Sequence, residues 1–251
     1  MRLIECVPNI SEGRDAAIIR RLMLAIHTTT GVEMLDCSSD PDHNRSVFTY
    51  VGEPEAVLKA TQALCRDAFR LIDMQKHQGA HPRLGAVDVI PFVPVRGVTN
   101  EEAVGLAHGL GEWIGEQGVP VYYYEDAATR PERVSLTEVR RGEYESLAAR
   151  IATPEGAPDA GPAEFNARSG ASIVGARFPL IAFNVNLATS DLEIAKRIAG
   201  AVRHSSGGYR YVRAMGLAVH DKGQVQVATD ILQYEKTPIH RVLETIRSEA
   251  A

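Results

Sequence analysis

Apolar residues recur along this chain at two spacings, and the spacing switches from one segment to the next. Leu3–Pro8 alternates as a half-buried strand does. Ala17, Ile18, Leu22, Leu24 and Ala25 then follow at helical spacing over Ala16–Ile26, with Ser11 before them in position to cap a helix. Gly31 ends that pattern. Val32–Asp36 and Ser46–Val51 read as strands, separated by the polar stretch Cys37–Arg45, which is long for a hairpin connection. Val57, Ala60, Leu64, Ala68 and Leu71 mark the inward face of a long helix over Glu55–Ile72. A polar loop, Asp73–Leu84, leads to the apolar strand Ala86–Val93. The order strand, helix, strand, strand, helix, strand predicts a ferredoxin-like βαββαβ unit, with two helices on one face of an antiparallel sheet.

Further along, the spacing predicts a helix over Glu101–Gln117, a strand over Val119–Tyr124 and a helix over Thr137–Ile151. Thr153–Ser169 has no periodicity and holds prolines at 154, 158 and 162, which reads as a linker. Strands at Ser172–Val174 and Leu180–Asn186, a helix at Asp191–Arg203, strands at Tyr211–Val219 and Val225–Leu232 and a helix at Ile239–Ser248 repeat the first half's order. The repeat stops before its fourth strand. The expected architecture is therefore α/β (α+β): a first subdomain over 1–152, a linker over 153–178, and a second, shortened subdomain over 179–251. A missing last strand would leave a sheet edge to be covered by other residues or by a neighbouring subunit.

Composition narrows the class. The chain has 251 residues and a net charge of −5, with 45% hydrophobic residues, so it is neither disordered nor generally suited to nucleic acid. No segment approaches the ~18–20 consecutive apolar residues of a membrane span. The start is charged by Glu5 and runs straight into a strand pattern, unlike a signal peptide. Three cysteines, Cys6, Cys37 and Cys65, do not form a disulfide framework, so a cytoplasmic protein with reduced thiols is expected.

Chemistry concentrates in four clusters. In His77–Asp88, two histidines, Arg83, glycines and Pro82 join a helix to a strand. A histidine near its ordinary pKa of ~6.5 can take and return a proton at neutral pH. Pro82 restricts the backbone of His81, and Arg83 suits a carboxylate. His77 reads more simply as a helix-ending cation. A metal site on His77, His81 and Asp88 is a competing reading, weakened by Gly79 and Pro82, which break the helical spacing that such ligands use. Asp40–Ser46 holds two acids, His43, Asn44 and Arg45 and reads equally as a turn or a binding loop. Asn9–Gly13, with Glu12, precedes a helix whose N–H groups favour anions. The fourth cluster is Arg168-Ser169-Gly170-Ala171-Ser172, with Gly175 and Ala176 and then Asn184 and Asn186. Its small residues would let a flat ligand approach the backbone. There is no G-x-S-x-G for a serine hydrolase.

Four motifs in register carry a family resemblance: Val7–Gly13, Asp42–Thr49, His81–Asp88, and Gly175-Ala176-Arg177 followed by Leu180–Asn186. Together they resemble the formiminotransferase family across essentially the whole chain. The resemblance implies two α/β subdomains with a folate groove between them, usually in a homodimer. It implies transfer of a formimino group from N-formimino-L-glutamate to N5 of tetrahydrofolate, in histidine breakdown and one-carbon metabolism. Some relatives handle N-formylglutamate instead. It places the catalytic histidine, the one followed by proline and arginine, at His81, and a folate-contacting segment at about Ala167–Ala176.

Asn9, Glu12, Asn44, Arg45, Arg83, Arg168, Ser169, Gly170, Ala171, Ser172, Gly175, Ala176, Asn184 and Asn186 are then the expected substrate and folate contacts, with Lys76 a further cation for carboxylates. Tetrahydrofolate would be a co-substrate, and the reaction requires no metal or redox cofactor. No nucleic acid or membrane partner is expected. The competing readings are a formyl-transferring enzyme, a non-catalytic folate-binding module and a metal-assisted hydrolase. Full-length relatives, by the same resemblance, continue past the last helix into a further strand.

Overall fold

A computed structural model describes residues 1–219 and 223–251. They form two compact units, Met1–Arg177 and Phe178–Ala251.

In the first unit, β1 (Leu3–Cys6) and β2 (Asn9–Ile10) are one strand interrupted at Pro8, which has no N–H to give a ladder. Helix α1 (Ala16–His27) follows, then the hairpin β3 (Val32–Asp40) and β4 (Arg45–Gly52), helix α2 (Pro54–Leu71) and β5 (Val87–Arg96). The lateral order is β3, β4, β1/β2, β5, antiparallel throughout, with the two helices between, as the hydrophobic pattern predicts. Two local expectations change. Asp15, not Ser11, caps α1, its carboxylate accepting from the Ala17 and Ile18 N–H groups. The polar stretch Cys37–Asp40 is strand, registered as far as Asp40 on Arg45, so the turn is short.

The sheet then grows beyond the predicted unit. After α3 (Asn100–Glu116), β6 (Val121–Glu125) and β7 (Ser172–Ala176) add to it, β7 lying parallel to both β5 and β6. Ser172–Val174 therefore belongs to the first unit's sheet and not to the second half. On the antiparallel side, one face is packed: Ile4, Phe48 and Tyr50 meet Leu22 and Leu64 of the helices. The parallel strands are buried on both faces, as parallel sheets are. Leu84, Val89, Tyr122, Tyr124 and Ile173 form a separate core against α4 (Leu136–Val139) and α5 (Glu143–Arg150). Gly142, at φ 78°, divides what the spacing predicts as one helix.

Residues 153–169 are not a linker. The Asp159 carboxylate accepts the Tyr123 N–H at 2.9 Å and pairs with Arg133 at 2.6 Å. The Gly156 carbonyl accepts the Tyr122 hydroxyl at 2.7 Å, and the Ala160 carbonyl accepts the Val121 N–H. Irregular backbone is held here by specific polar partners, which leave no periodic trace.

The second unit contains β8 (Ile181–Leu187), α6 (Leu192–Val202), β9 (Val212–Val219), β10 (Gln224–Ile231) and α7 (Ile239–Ala250). Its sheet order is β8, β10, β9, antiparallel, over a core that includes Ile198, Val202, Val227 and Val242. This is the predicted repeat. Among the described residues no strand takes the other edge of β8. No helix among them is long and apolar enough to cross a membrane.

Candidate active site

Antiparallel pairing brings the chemistry-bearing loops together. β1/β2 runs against both β4 and β5, so the end of β2 lies beside the starts of the other two: Ile10 is registered on Ser46 and on Val87. The segments Asn9–Gly13, Asp42–Ser46 and His77–Asp88 therefore meet at one end of the sheet. Parallel β7 starts at the same end.

Asn44 joins these segments. Its side chain accepts the Gly13 N–H at 2.9 Å and donates to the Gln78 carbonyl at 3.0 Å. Its own carbonyl accepts from His77 Nε2 at 2.9 Å. It holds a left-handed backbone, φ 48°, which asparagine tolerates better than most residues. The approach is close: a Cβ on Gly13 would come within 2.5 Å of the Arg45 nitrogen. His77 completes the joint, its Nδ1 accepting from Arg83 Nε at 3.3 Å. With both ring nitrogens used, and burial holding it below the ordinary histidine pKa, His77 is a neutral structural bridge.

His81 stands at the centre of the cluster, among Arg45, His43 and Asp88. Arg45 Nη1 lies 2.5 Å from its Nε2. A guanidinium only donates, so Nε2 accepts and the proton of the neutral ring sits on Nδ1. Nδ1 is buried and has no hydrogen-bond partner among the described residues. The His43 ring stands edge-on at 5.9 Å. Burial, followed by the positive charges of Arg45 and Arg140, pushes the His81 pKa down to about 4. Behind it, fully buried Asp88 accepts the Leu84 N–H at 2.7 Å and pairs with Arg140. Asp88 thus fixes the backbone that carries His81 and Pro82.

Several expected contacts have other duties. Arg83 is buried and paired with Glu145 at 2.6 Å and Glu143 at 3.1 Å, so it is not a free carboxylate clamp. Ser169, Gly170, Ala171, Ser172, Gly175 and Ala176 are all buried. The Ser172 hydroxyl donates to the Val87 carbonyl at 2.7 Å, and Gly170, at φ 68°, packs on the Leu84 carbonyl. Their smallness serves backbone-to-backbone packing along β5 and β7 rather than contact with a flat ligand. Asn9 donates to the Val7 carbonyl, and Glu12 Oε1 accepts the Arg14 and Asp15 N–H groups. Asn184 and Asn186 are exposed on β8 in the second unit, where they bond to Thr229 and Gln226. His77, His81 and Asp88 do not converge as ligands, and no group of three or more His, Cys, Asp or Glu residues that could hold a metal ion occurs among the described residues.

Two spaces result. An inner pocket of about 180 Å³ is bordered by Ser11, His43, Asn44, Arg45, His77, His81, Arg83 and Asp88. An outer cleft, open to solvent, shares Ser11, Asn44 and His77 with it and adds Glu12, Asp73, Lys76 and Arg168. Arg168 also donates to the Arg70 carbonyl at 2.6 Å. The sequence reading missed Arg140, Glu143 and Glu145, which lie far along the chain, just after α4 and in α5. Gly142 was the one local signal that the region turns back toward the site.

Comparison with known proteins matches this frame. The model of the formiminotransferase domain, N-terminal subdomain, matches residues 3–177, and that of the formiminotransferase domain matches residues 182–251. The chain belongs to the formiminotransferase family. The family's two segments coincide with the two compact units, Met1–Arg177 and Phe178–Ala251. Glutamate formimidoyltransferase of Streptococcus pyogenes serotype M1 is 44% identical over 250 residues, covering 99% of this chain and 84% of that protein. The protein of the same name from Thermoplasma acidophilum is 46% identical, covering 100% and 84%. Formimidoyltransferase-cyclodeaminase of Rattus norvegicus is 43% identical over 99% of this chain, which spans 47% of that longer protein.

Proposed function

We propose that this formiminotransferase-family chain is a folate-dependent enzyme that transfers the formimino group of N-formimino-L-glutamate to N5 of tetrahydrofolate, with His81 as the proton carrier. The observation that carries the reading is the placement of His81: a neutral imidazole whose Nε2 meets the Arg45 guanidinium at the border of a pocket lined by cationic side chains. The names of the similar proteins support the same reaction.

The chemistry needs one base that becomes an acid. N5 attacks the amidine-type carbon and forms a C–N bond, leaving a positive charge on N5. Nε2 of His81 takes that proton. The imidazolium then returns it to the nitrogen of the departing glutamate as the old C–N bond breaks. General acid–base catalysis of this kind contributes about 10²–10⁴-fold. Both substrates carry carboxylates, and Arg45 at the inner pocket with Lys76 and Arg168 at the outer cleft supply positive charge for them despite the net −5. Glu12 and Asn44 line the same spaces.

A cytoplasmic homodimer belongs to the same proposal. The free thiols of Cys6, Cys37 and Cys65 suit a reducing compartment. Light scattering on the purified protein reads the dimer directly.

The decisive experiment mixes purified protein with formiminoglutamate and tetrahydrofolate and follows the 5-formimino adduct by absorbance, with N-formylglutamate as the competing donor. His81→Ala is expected to lower turnover by at least 10²-fold while folate binding persists. Unchanged turnover in that variant sinks the assignment of His81.

A further inference from the structure

Among the described residues, Arg45 is a cation without an ion pair of its own. The two carboxylates that attract it are engaged elsewhere: Asp88 with Arg140 and the Leu84 N–H, Asp40 with His43. Arg140 repels it. Its guanidinium is instead set against the one nitrogen of His81 that can act as a base. A lone pair accepting from a guanidinium cannot also accept the proton of N5. The inner pocket is meanwhile too narrow to seat a water molecule beside His81.

We infer that Arg45 caps the base of the free enzyme, and that a substrate carboxylate draws Arg45 off Nε2 and so switches His81 on. The inference rests on the proposed reaction for its purpose, but the cap and its release are measurable without turnover.

The energetics favour the exchange. A guanidinium–carboxylate pair is charge-assisted and matches in fork geometry, whereas a guanidinium–imidazole contact satisfies one N–H and leaves the charge uncompensated. Releasing Arg45 removes one of the positive charges that depress His81 and brings a negative one near. The groups that remain are Arg140 from the C-terminal cap of α4, His43 from the turn before β4, His77 and Arg83 from the same loop, and Asp88 from β5. Protonation of His81 and carboxylate binding then help each other, because coupling between two binding events is reciprocal. The proton count closes. The ring is neutral with Nδ1–H before and after, and only the proton passing from N5 to the glutamate nitrogen visits Nε2. An enzyme so arranged keeps its base out of action until a substrate carboxylate is in place.

The test is an NMR titration of the His81 ring, identified by the signal lost in His81→Gln. It is run on the protein alone, with saturating L-glutamate, and with saturating tetrahydrofolate. The free ring should titrate near 4, and at least one of the two carboxylate ligands should raise it toward ~6.5. In Arg45→Met the ring should titrate above its wild-type value without ligand, still below the ordinary histidine value because burial and Arg140 remain, and respond to neither. The acid limb of kcat/KM, which reports the free enzyme, should move up with it, and KM for formiminoglutamate should rise. A His81 pKa that is the same with and without both ligands, or one that still shifts with ligand in Arg45→Met, overturns the inference. Should Arg45→Met fail to fold by circular dichroism, the wild-type titration decides alone. A ligand-dependent shift in a protein with no transfer activity would uphold the cap and refute the reaction. Turnover with no shift would do the reverse.

Discussion

Asn44 shows how one residue can hold three segments. Its polar groups reach two other loops: the Gly13 N–H on one, and the Gln78 carbonyl and His77 Nε2 on the other. Alanine at this position would leave a buried donor and acceptor unmatched and would still have to adopt the left-handed backbone. Asn44→Ala is therefore expected to cost about 2–3 kcal/mol, read from urea unfolding. A change under half that would mean the loops are held elsewhere. The sequence marks Asn44, Arg45 and His81 as polar residues in loops and, through the family motifs, as a set. It cannot mark that Arg45 faces Nε2 of His81 or that Arg83 is consumed by Glu143 and Glu145, because those pairings join residues far apart in sequence.

At the scale of elements, periodicity read the helices to within about two residues but missed how the sheet extends. β6 and β7 are short, and β7 is built of small residues, Ser172-Ile173-Val174-Gly175-Ala176, with no alternation to report because both faces are buried. The pieces α4 and α5 are set by contact with the sheet. Arg140 at the C-terminal cap of α4 reaches Asp88 on β5, and both side chains are largely buried. Arg140→Met would strand the Asp88 carboxylate in the interior, at about 3 kcal/mol, seen as a lowered urea midpoint. Adding Asp88→Asn should recover part of the loss, since the stranded charge is then gone. No recovery would show that Arg140 stabilises through packing instead.

For the whole molecule, pH is the accessible lever. His77 and His81 are both held below the ordinary histidine value, His77 by burial and His81 by burial and neighbouring arginines. Their protonated forms are disfavoured only in the folded state, so the unfolded chain takes up protons first as the pH falls. Stability is then complete above ~6.5 and declines between there and the folded value, which for His81 is about 4. Urea midpoints should fall between about pH 7.5 and pH 5, the range above that in which free carboxyl groups titrate. The fall should shrink in His81→Gln. A midpoint flat over that range would mean the two imidazoles are not held neutral by the fold.

What the sequence by itself determined are the features carried by short-range order. The strand–helix alternation, the two repeated halves, the capping and turn residues and the motifs that identify the family all lie within a few residues of one another. The tertiary structure alone decided that residues 153–169 pack into the first unit, that Ser169–Ala176 is buried with an interior strand at Ser172–Ala176, and that Arg45 faces Nε2 of His81. Each of these depends on polar or small residues meeting across long stretches of chain. Such meetings follow from the order of strands in the sheet, and they leave no period in the sequence from which to read them.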